Sequence, residues 1–221
     1  MSADEAQVIA ELQKAGQYLF TNNLTWGNAG NLSARLNENE LLVTASGTNL
    51  GELGVHDFVV VPVSAQGIEA YPQKPTKELP MHRAIYEVRP EIGAVVHASP
   101  FYTTLIACTN VDIPSSWFVE SMYYLERVGR VAYAHPGSTR LGDLVREQAG
   151  KANILLLENH GVLAYDNNLK EALMGLHTYE LAAKMFLASK GAGIEMQEIP
   201  PGNVHDFLLN SGYRKRRNWR A

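Results

Sequence analysis

Glu78, His97 and His160 stand out by residue type and setting. His97 closes the apolar run "IGAVVHAS", and His160 lies in the turn of "LLLENHGVLA", between two apolar runs. A polar group at the end of a buried strand is where a sheet presents chemistry to a cleft. One such histidine is more often a hydrogen-bonded core residue; two in matching settings point to a metal site or a proton relay. Glu78 follows Pro-Thr-Lys and opens a helix, where the macrodipole alone favours a carboxylate. A rigid helix would equally hold it as a general acid/base or a metal ligand. His82 lies four residues on and faces the same side. His56, His177 and His205 have no setting that sets them apart.

Three small-residue turns, "GNAGNLS", "ASGT" and "PTKE", present free backbone N–H groups and side-chain donors. Converging in space, they would cradle an anion. None matches a P-loop or a dinucleotide fingerprint.

The elements that must position these groups follow from periodicity. Val8, Leu12, Ala15 and Leu19, widened by Ile9 and Phe20, predict an amphipathic helix over 3–20, stopped by Asn22 and Asn23. Strands are expected ahead of Arg35, in "ELLVT" and in "DFVVVPV", where Pro62 predicts an edge or a bulge. Thr76 is placed to cap the next helix, with Pro80 in its first turn and Pro90 beyond its end. "PFYTTLIACT" reads as a helix, "TRLGDLVREQAG" as another capped by Ser138 or Thr139 and stopped by Gly150. Asn168 and Glu171 open a long helix at capping-box spacing. Strand pairs at 40–63 and 154–164 favour a mixed or antiparallel sheet covered by helices, in one α/β domain spanning 1–221.

The 221-residue chain suits a single core. Its net charge of −4 gives no reason to expect nucleic-acid binding. No stretch reaches the ~20 apolar residues of a membrane span, and "MSADEAQVIAELQKAG" lacks a signal-peptide layout, so a cytoplasmic protein is expected. The lone Cys108, in "TLIACT", is expected to be packed. The tail 214–221 carries five basic residues, Arg214, Lys215, Arg216, Arg217 and Arg220; the rest holds 14 basic against 23 acidic. Such a tail is either solvated or an arm for an acidic surface of a neighbouring subunit or an anionic substrate.

The ordered set "GNLSAR", "TASGT", "PTKELPMHRAIYEVRPEIGAVVH", "PGSTRLGDLV" and "LENHGVLAYDNNLKEAL" resembles the class II aldolase/adducin-head family, over roughly residues 5 to 190. The family includes L-fuculose-phosphate aldolase and L-ribulose-5-phosphate 4-epimerase. The resemblance implies one three-layer α/β/α domain around a mostly antiparallel sheet, and a homotetramer with active sites at subunit interfaces. It implies a divalent metal, Zn2+ first with Mn2+ or Co2+ as alternatives, held by three histidines. Two come from a His-x-His strand and the third from the His-Gly turn. His97 and His160 match the first and third, and Glu78 matches the acid/base. Asn31, Ser46, Gly47, Thr76 and Lys77 match the substrate-phosphate residues, with Lys77 where a serine is usual. Tyr213 matches, loosely, a catalytic tyrosine reaching in from a neighbouring subunit.

The departure from the pattern is Ser99, where the second histidine belongs. A hydroxyl is a poor zinc ligand. Glu78, Glu120 or His135 could complete the set; a looser or oxygen-preferring metal could occupy it; or the metal could be lost, as in the cytoskeletal adducin head. With the metal, the resemblance implies aldolase-type C–C cleavage through an enediolate, on a small phosphorylated or carboxylated hydroxy-carbonyl. Decarboxylase, dehydratase and epimerase chemistry are the alternatives on the same scaffold, and a non-catalytic adducin-like binding role is the alternative from another class.

Overall fold

The structure is a computed structural model that describes residues 3–64, 70–215, 217 and 219. Its elements are α1 (Ala3–Thr21), β1 (Asn31–Arg35), β2 (Glu40–Thr44), β3 (Phe58–Pro62), α2 (Leu79–Val88), β4 (Ala94–Ala98), α3 (Phe101–Ala107), α4 (Val119–Tyr124), β5 (Val128–Val131), α5 (Thr139–Ala149), β6 (Ile154–Leu157), β7 (Gly161–Asp166), α6 (Leu169–Ala192) and α7 (Pro201–Asn210). Seven strands form one sheet in the order β3-β2-β1-β4-β7-β6-β5. Every pairing is antiparallel except β5 with β6. Pro62 ends the edge strand β3, where its missing N–H costs no interior ladder bond.

Strand alternation splits the core into two layers. Leu32, Leu42, Val96 and Ala164 face α1, α3, α4 and α6. Leu41, Val43, Val95, Leu163 and Tyr165 face α2 and α5. The central strands β4, β6 and β7 are buried on both faces, which is why they read as nearly unbroken apolar runs. The result is the expected three-layer α/β fold with a mostly antiparallel sheet.

Some local expectations change. Asn168 does cap α6, accepting from Glu171 N–H, and Ser138 caps α5. Thr76 does not cap α2: the cap position is Glu78, and the Thr76 hydroxyl instead accepts from Glu78 N–H in the turn before the helix. Cys108 is exposed, because α3 ends at Ala107 and the cysteine follows as its outward-turned cap. Where the tail is described, two of its arginines are held within the chain. Arg217 forms two hydrogen bonds to Asp166 Oδ2 and lies over the Tyr123 ring, and Arg214 pairs with Glu171. Arg216 and Arg220 lie outside the described residues. No helix among the described residues is long and apolar enough to cross a membrane.

Candidate metal centre and anion cavity

One end of the sheet gathers the chemistry. His97 is opposite Asn31 in the β1–β4 ladder and opposite Leu163 in the β4–β7 ladder. It shares a strand face with Val95, the face covered by α2, so it points toward Glu78 at the start of that helix. His160 enters from the β6–β7 turn, where Asn159 adopts φ 54°. Gly161 follows because only a glycine fits: a Cβ there would lie 2.6 Å from the Ala98 carbonyl and 2.8 Å from Ser99 Oγ. Gly30 plays the same part on the other flank, with φ 87° and a hypothetical Cβ 2.6 Å from the His97 carbonyl.

Glu78, His97 and His160 form one group whose donor atoms all lie within 4.8 Å of one another. Glu78 Oε2 is 3.1 Å from His97 Nε2, and Glu78 Oε1 is 3.1 Å from His160 Nε2. His97 Nδ1 is 3.0 Å from the Val162 carbonyl. A carbonyl only accepts, so Nδ1 carries the hydrogen. In the neutral ring, Nε2 then aims a lone pair at a carboxylate oxygen. Two acceptors at that separation require a cation, either a proton on the ring or a metal ion between them. Glu78 Oε1 is close to His160 without hydrogen-bond alignment, and it is buried without a hydrogen-bond partner, as is His160 Nδ1. Burial alone would raise the Glu78 carboxyl. The charge of His97, the ring nitrogens of His160 and His97 beside the carboxylate, and the hydrogen bond from Asn31 outweigh it and hold the group well below the usual carboxylate range. Two imidazoles and a carboxylate fit a divalent transition ion, and the backbone-anchored His97 tautomer is the one such an ion uses.

The group therefore has Glu78 as its third member. Glu120, in the first turn of α4, and His135, against the Tyr133 ring, are not part of it. Ser99 is buried, and its hydroxyl makes only a long contact, 3.4 Å, to the His160 carbonyl.

A cavity of about 370 Å³ opens beside this group. The three small-residue turns line it together. Asn28, Gly30 and Asn31 come from the first, Ser46, Gly47 and Thr48 from the second, and Thr76 and Lys77 from the third. Asn28 and Thr48 also line it, from the turns that carried the signal, and so does Ser99, at the position of the missing histidine. Asn31 is committed inward: its Nδ2 donates to Glu78 Oε2 at 2.8 Å, and its Oδ1 receives from His82 Nε2. Tyr213 does not line this cavity in its own chain; its ring packs on Tyr123 and Phe207. A larger cleft of about 680 Å³ lies under the C-terminal segment. Its arginines are already engaged, Arg217 by Asp166, Arg214 by Glu171 and Arg89 by Glu91 and two carbonyls. The smaller cavity is the one that opens on Glu78, His97 and His160.

Comparison with known proteins agrees with this geometry. Residues 10–187 match the family model described as Class II Aldolase and Adducin N-terminal domain. A 3-oxo-tetronate 4-phosphate decarboxylase of Haemophilus influenzae is 33% identical over 81% of this chain and 86% of its own. An L-fuculose phosphate aldolase of Methanococcus vannielii is 29% identical over 80% of this chain and 94% of its own. The crystal structure of YgbL from Klebsiella pneumoniae superposes with a TM-score of 0.82 at 29% identity, covering 92% of this chain and 98% of that one. The chain belongs to the class II aldolase and adducin N-terminal domain family.

Proposed function

We propose that the protein is a metal-dependent lyase acting on a small phosphorylated hydroxy-carbonyl compound. One observation carries this: Glu78, His97 and His160 converge, with His97 Nδ1 committed to a carbonyl so that Nε2 faces Glu78. A divalent ion, Zn2+ first, would be held by His97, His160 and Glu78, and when bound it supplies Lewis-acid polarisation of carbonyl and hydroxyl oxygens.

The remaining steps belong to the chain. The Gly47 backbone N–H and the hydroxyls of Ser46 and Thr76 hold the phosphate, with Lys77 as a point charge at the rim; the Ser46 and Thr76 N–H groups are already given to the Lys74 and Thr44 carbonyls. Glu78 Oε2 is fixed by Asn31, which leaves Oε1 as the oxygen that takes or returns a proton at the donor carbon. Cleavage breaks the C–C bond next to the carbonyl, and the electron pair stays on the carbonyl side. Its leaving half is an aldehyde in an aldolase and carbon dioxide in a decarboxylase. We favour the aldolase form, the activity of the Methanococcus vannielii relative. The decarboxylase form is the second reading, favoured by Lys77, whose cation suits a substrate carboxylate. A homotetramer that brings Tyr213 of a neighbouring copy to the cavity completes the proposal.

The test is metal content of the purified protein beside His160→Ala, followed by assays of L-fuculose 1-phosphate cleavage and of CO2 release from a 3-oxo-tetronate 4-phosphate. Near-stoichiometric metal that disappears in the variant is expected. No metal after growth in zinc, manganese or cobalt overturns the lyase reading in favour of a binding role.

A further inference from the structure

Behind Glu78 lies a chain of buried polar groups whose hydrogen-bond directions are all forced. A carboxylate only accepts, so Asn31 must present its amide nitrogen to Glu78 Oε2 (2.8 Å) and its oxygen to His82. That oxygen only accepts, so His82 Nε2, 2.5 Å away, carries the hydrogen. His82 is fully buried; burial and the charge of His97 push its pKa down to about 3, so the ring is neutral and Nδ1 is an acceptor. Nδ1 lies 2.7 Å from Ser33 Oγ, so Ser33 donates. Tyr86 OH, 3.0 Å from Ser33 Oγ and held protonated by burial, is then the donor to Ser33. Every link runs one way, from Tyr86 through Ser33, His82 and Asn31 to Glu78.

The ladder exists because two periodicities coincide. Glu78, His82 and Tyr86 are spaced i, i+4, i+8 along the start and length of α2, and Asn31 and Ser33 are i, i+2 on β1. Four residues of helix rise about 6 Å and two of strand about 6.6 Å, so polar rungs on the two elements stay in step. All five side chains are buried, in the layer otherwise filled by apolar residues. Buried polar networks of this kind are costly unless fully satisfied.

We propose that His82 is a positioning residue, acting through Asn31 to lock the Glu78 carboxylate with Oε2 held between Asn31 and His97 and Oε1 turned to His160. The proposal rests on Glu78 being the functional carboxylate of the metal centre. His82→Leu removes both ring hydrogen bonds, and Asn31 is then free to turn its amide. His82→Gln keeps one donor and one acceptor, and is the rescue variant.

Two measurements test it on the full chain. The ¹⁵N spectrum of histidine-labelled protein reads the tautomer directly, and Nε2–H with a bare Nδ1 is expected for His82. Zn2+ titration of the folded variants is expected to give a ~10–100-fold weaker affinity for His82→Leu, the range for lost outer-shell partners, with His82→Gln close to the parent. A purely packing role would lower the melting temperature of both variants and leave Zn2+ affinity unchanged. That result, or an Nδ1–H tautomer at His82, overturns the proposal. Should His82→Leu fail to fold, the tautomer still decides. Absence of Zn2+ binding by the parent protein overturns the metal centre instead, and the tautomer alone then decides the direction of the chain.

Discussion

Gly161→Ala is the sharpest probe of how the His160 turn is held. The added methyl would sit 2.6 Å from the Ala98 carbonyl oxygen, against about 3.4 Å for ordinary contact, so some 0.8 Å must be absorbed. The obstruction is backbone of β4, the strand that also carries His97, and it is pinned in ladders to both β1 and β7. Ser99 Oγ at 2.8 Å closes the other escape. The turn must move instead, and His160 moves with it. Overpacking of this kind costs about 1–3 kcal/mol, or roughly 2–12 °C in melting temperature for a chain of this size. A catalytic group displaced by about 1 Å loses on the order of 100-fold in rate. The assay is a thermal melt with and without saturating Zn2+, with Zn2+ affinity measured beside it. The expected result is a lower melting temperature and a reduced Zn2+-induced increment. A variant that melts with the parent and binds Zn2+ equally would show that the turn has slack and that the close approach does not position His160.

The remaining outcomes are simpler. Ser99→His, which restores the family ligand pattern at a position lining the cavity, is expected to raise Zn2+ affinity about tenfold or more, worth about 1.4 kcal/mol, by calorimetry; unchanged affinity would mean that position 99 does not face the ion. Because the Glu78 carboxyl is depressed in the folded state, its contribution to stability is complete above the ordinary glutamate pKa of about 4.3 and is lost as pH falls below it. Glu78→Gln should therefore flatten the acid limb of a melting-temperature profile between about pH 5 and pH 3, and an unchanged limb would refute the assignment. Arg217→Ala strips the partner from Asp166 in a pair whose side chains are only 7% and 13% exposed, and should cost about 3 kcal/mol in denaturant unfolding. A loss indistinguishable from zero would mean that the tail is not anchored there.

The sequence disclosed most of the frame because both layers bury apolar faces with clear periods. The long elements α1, α5 and α6, their Ser138 and Asn168 caps and the apolar strands β4, β6 and β7 were all legible. What escaped were pieces with little local signal. β5 is "VGRV", four residues with a glycine and an arginine, and its parallel pairing to β6 is a long-range fact. α4 has six residues, and α7 buries none of its own. At the site, the two histidines, the glutamate and all three small-residue turns were visible as residue types. The third member of the metal group was only one of three named options, since choosing Glu78 over Glu120 or His135 needs coordinates. The Ser33–His82–Asn31 connection was hidden for a different reason: it depends on the match between helix rise and strand rise, which no single segment displays. Cys108 misled because an apolar neighbourhood in sequence is not burial when the helix ends one residue earlier.

The placement of the three donors also bears on the order of events in folding. They lie far apart in the chain, at 78, 97 and 160; the β4–β7 pairing brings His97 and the His160 turn together, and Glu78 joins only when α2 packs on that face of the sheet. Non-local ladders of this kind close late, because loop entropy is spent before their contacts form. An ion taken up at this centre cannot act as a nucleus, since its full ligand set does not exist until the sheet does. It is a lock on the finished molecule, retarding escape from the native state and leaving the rate of reaching it almost untouched.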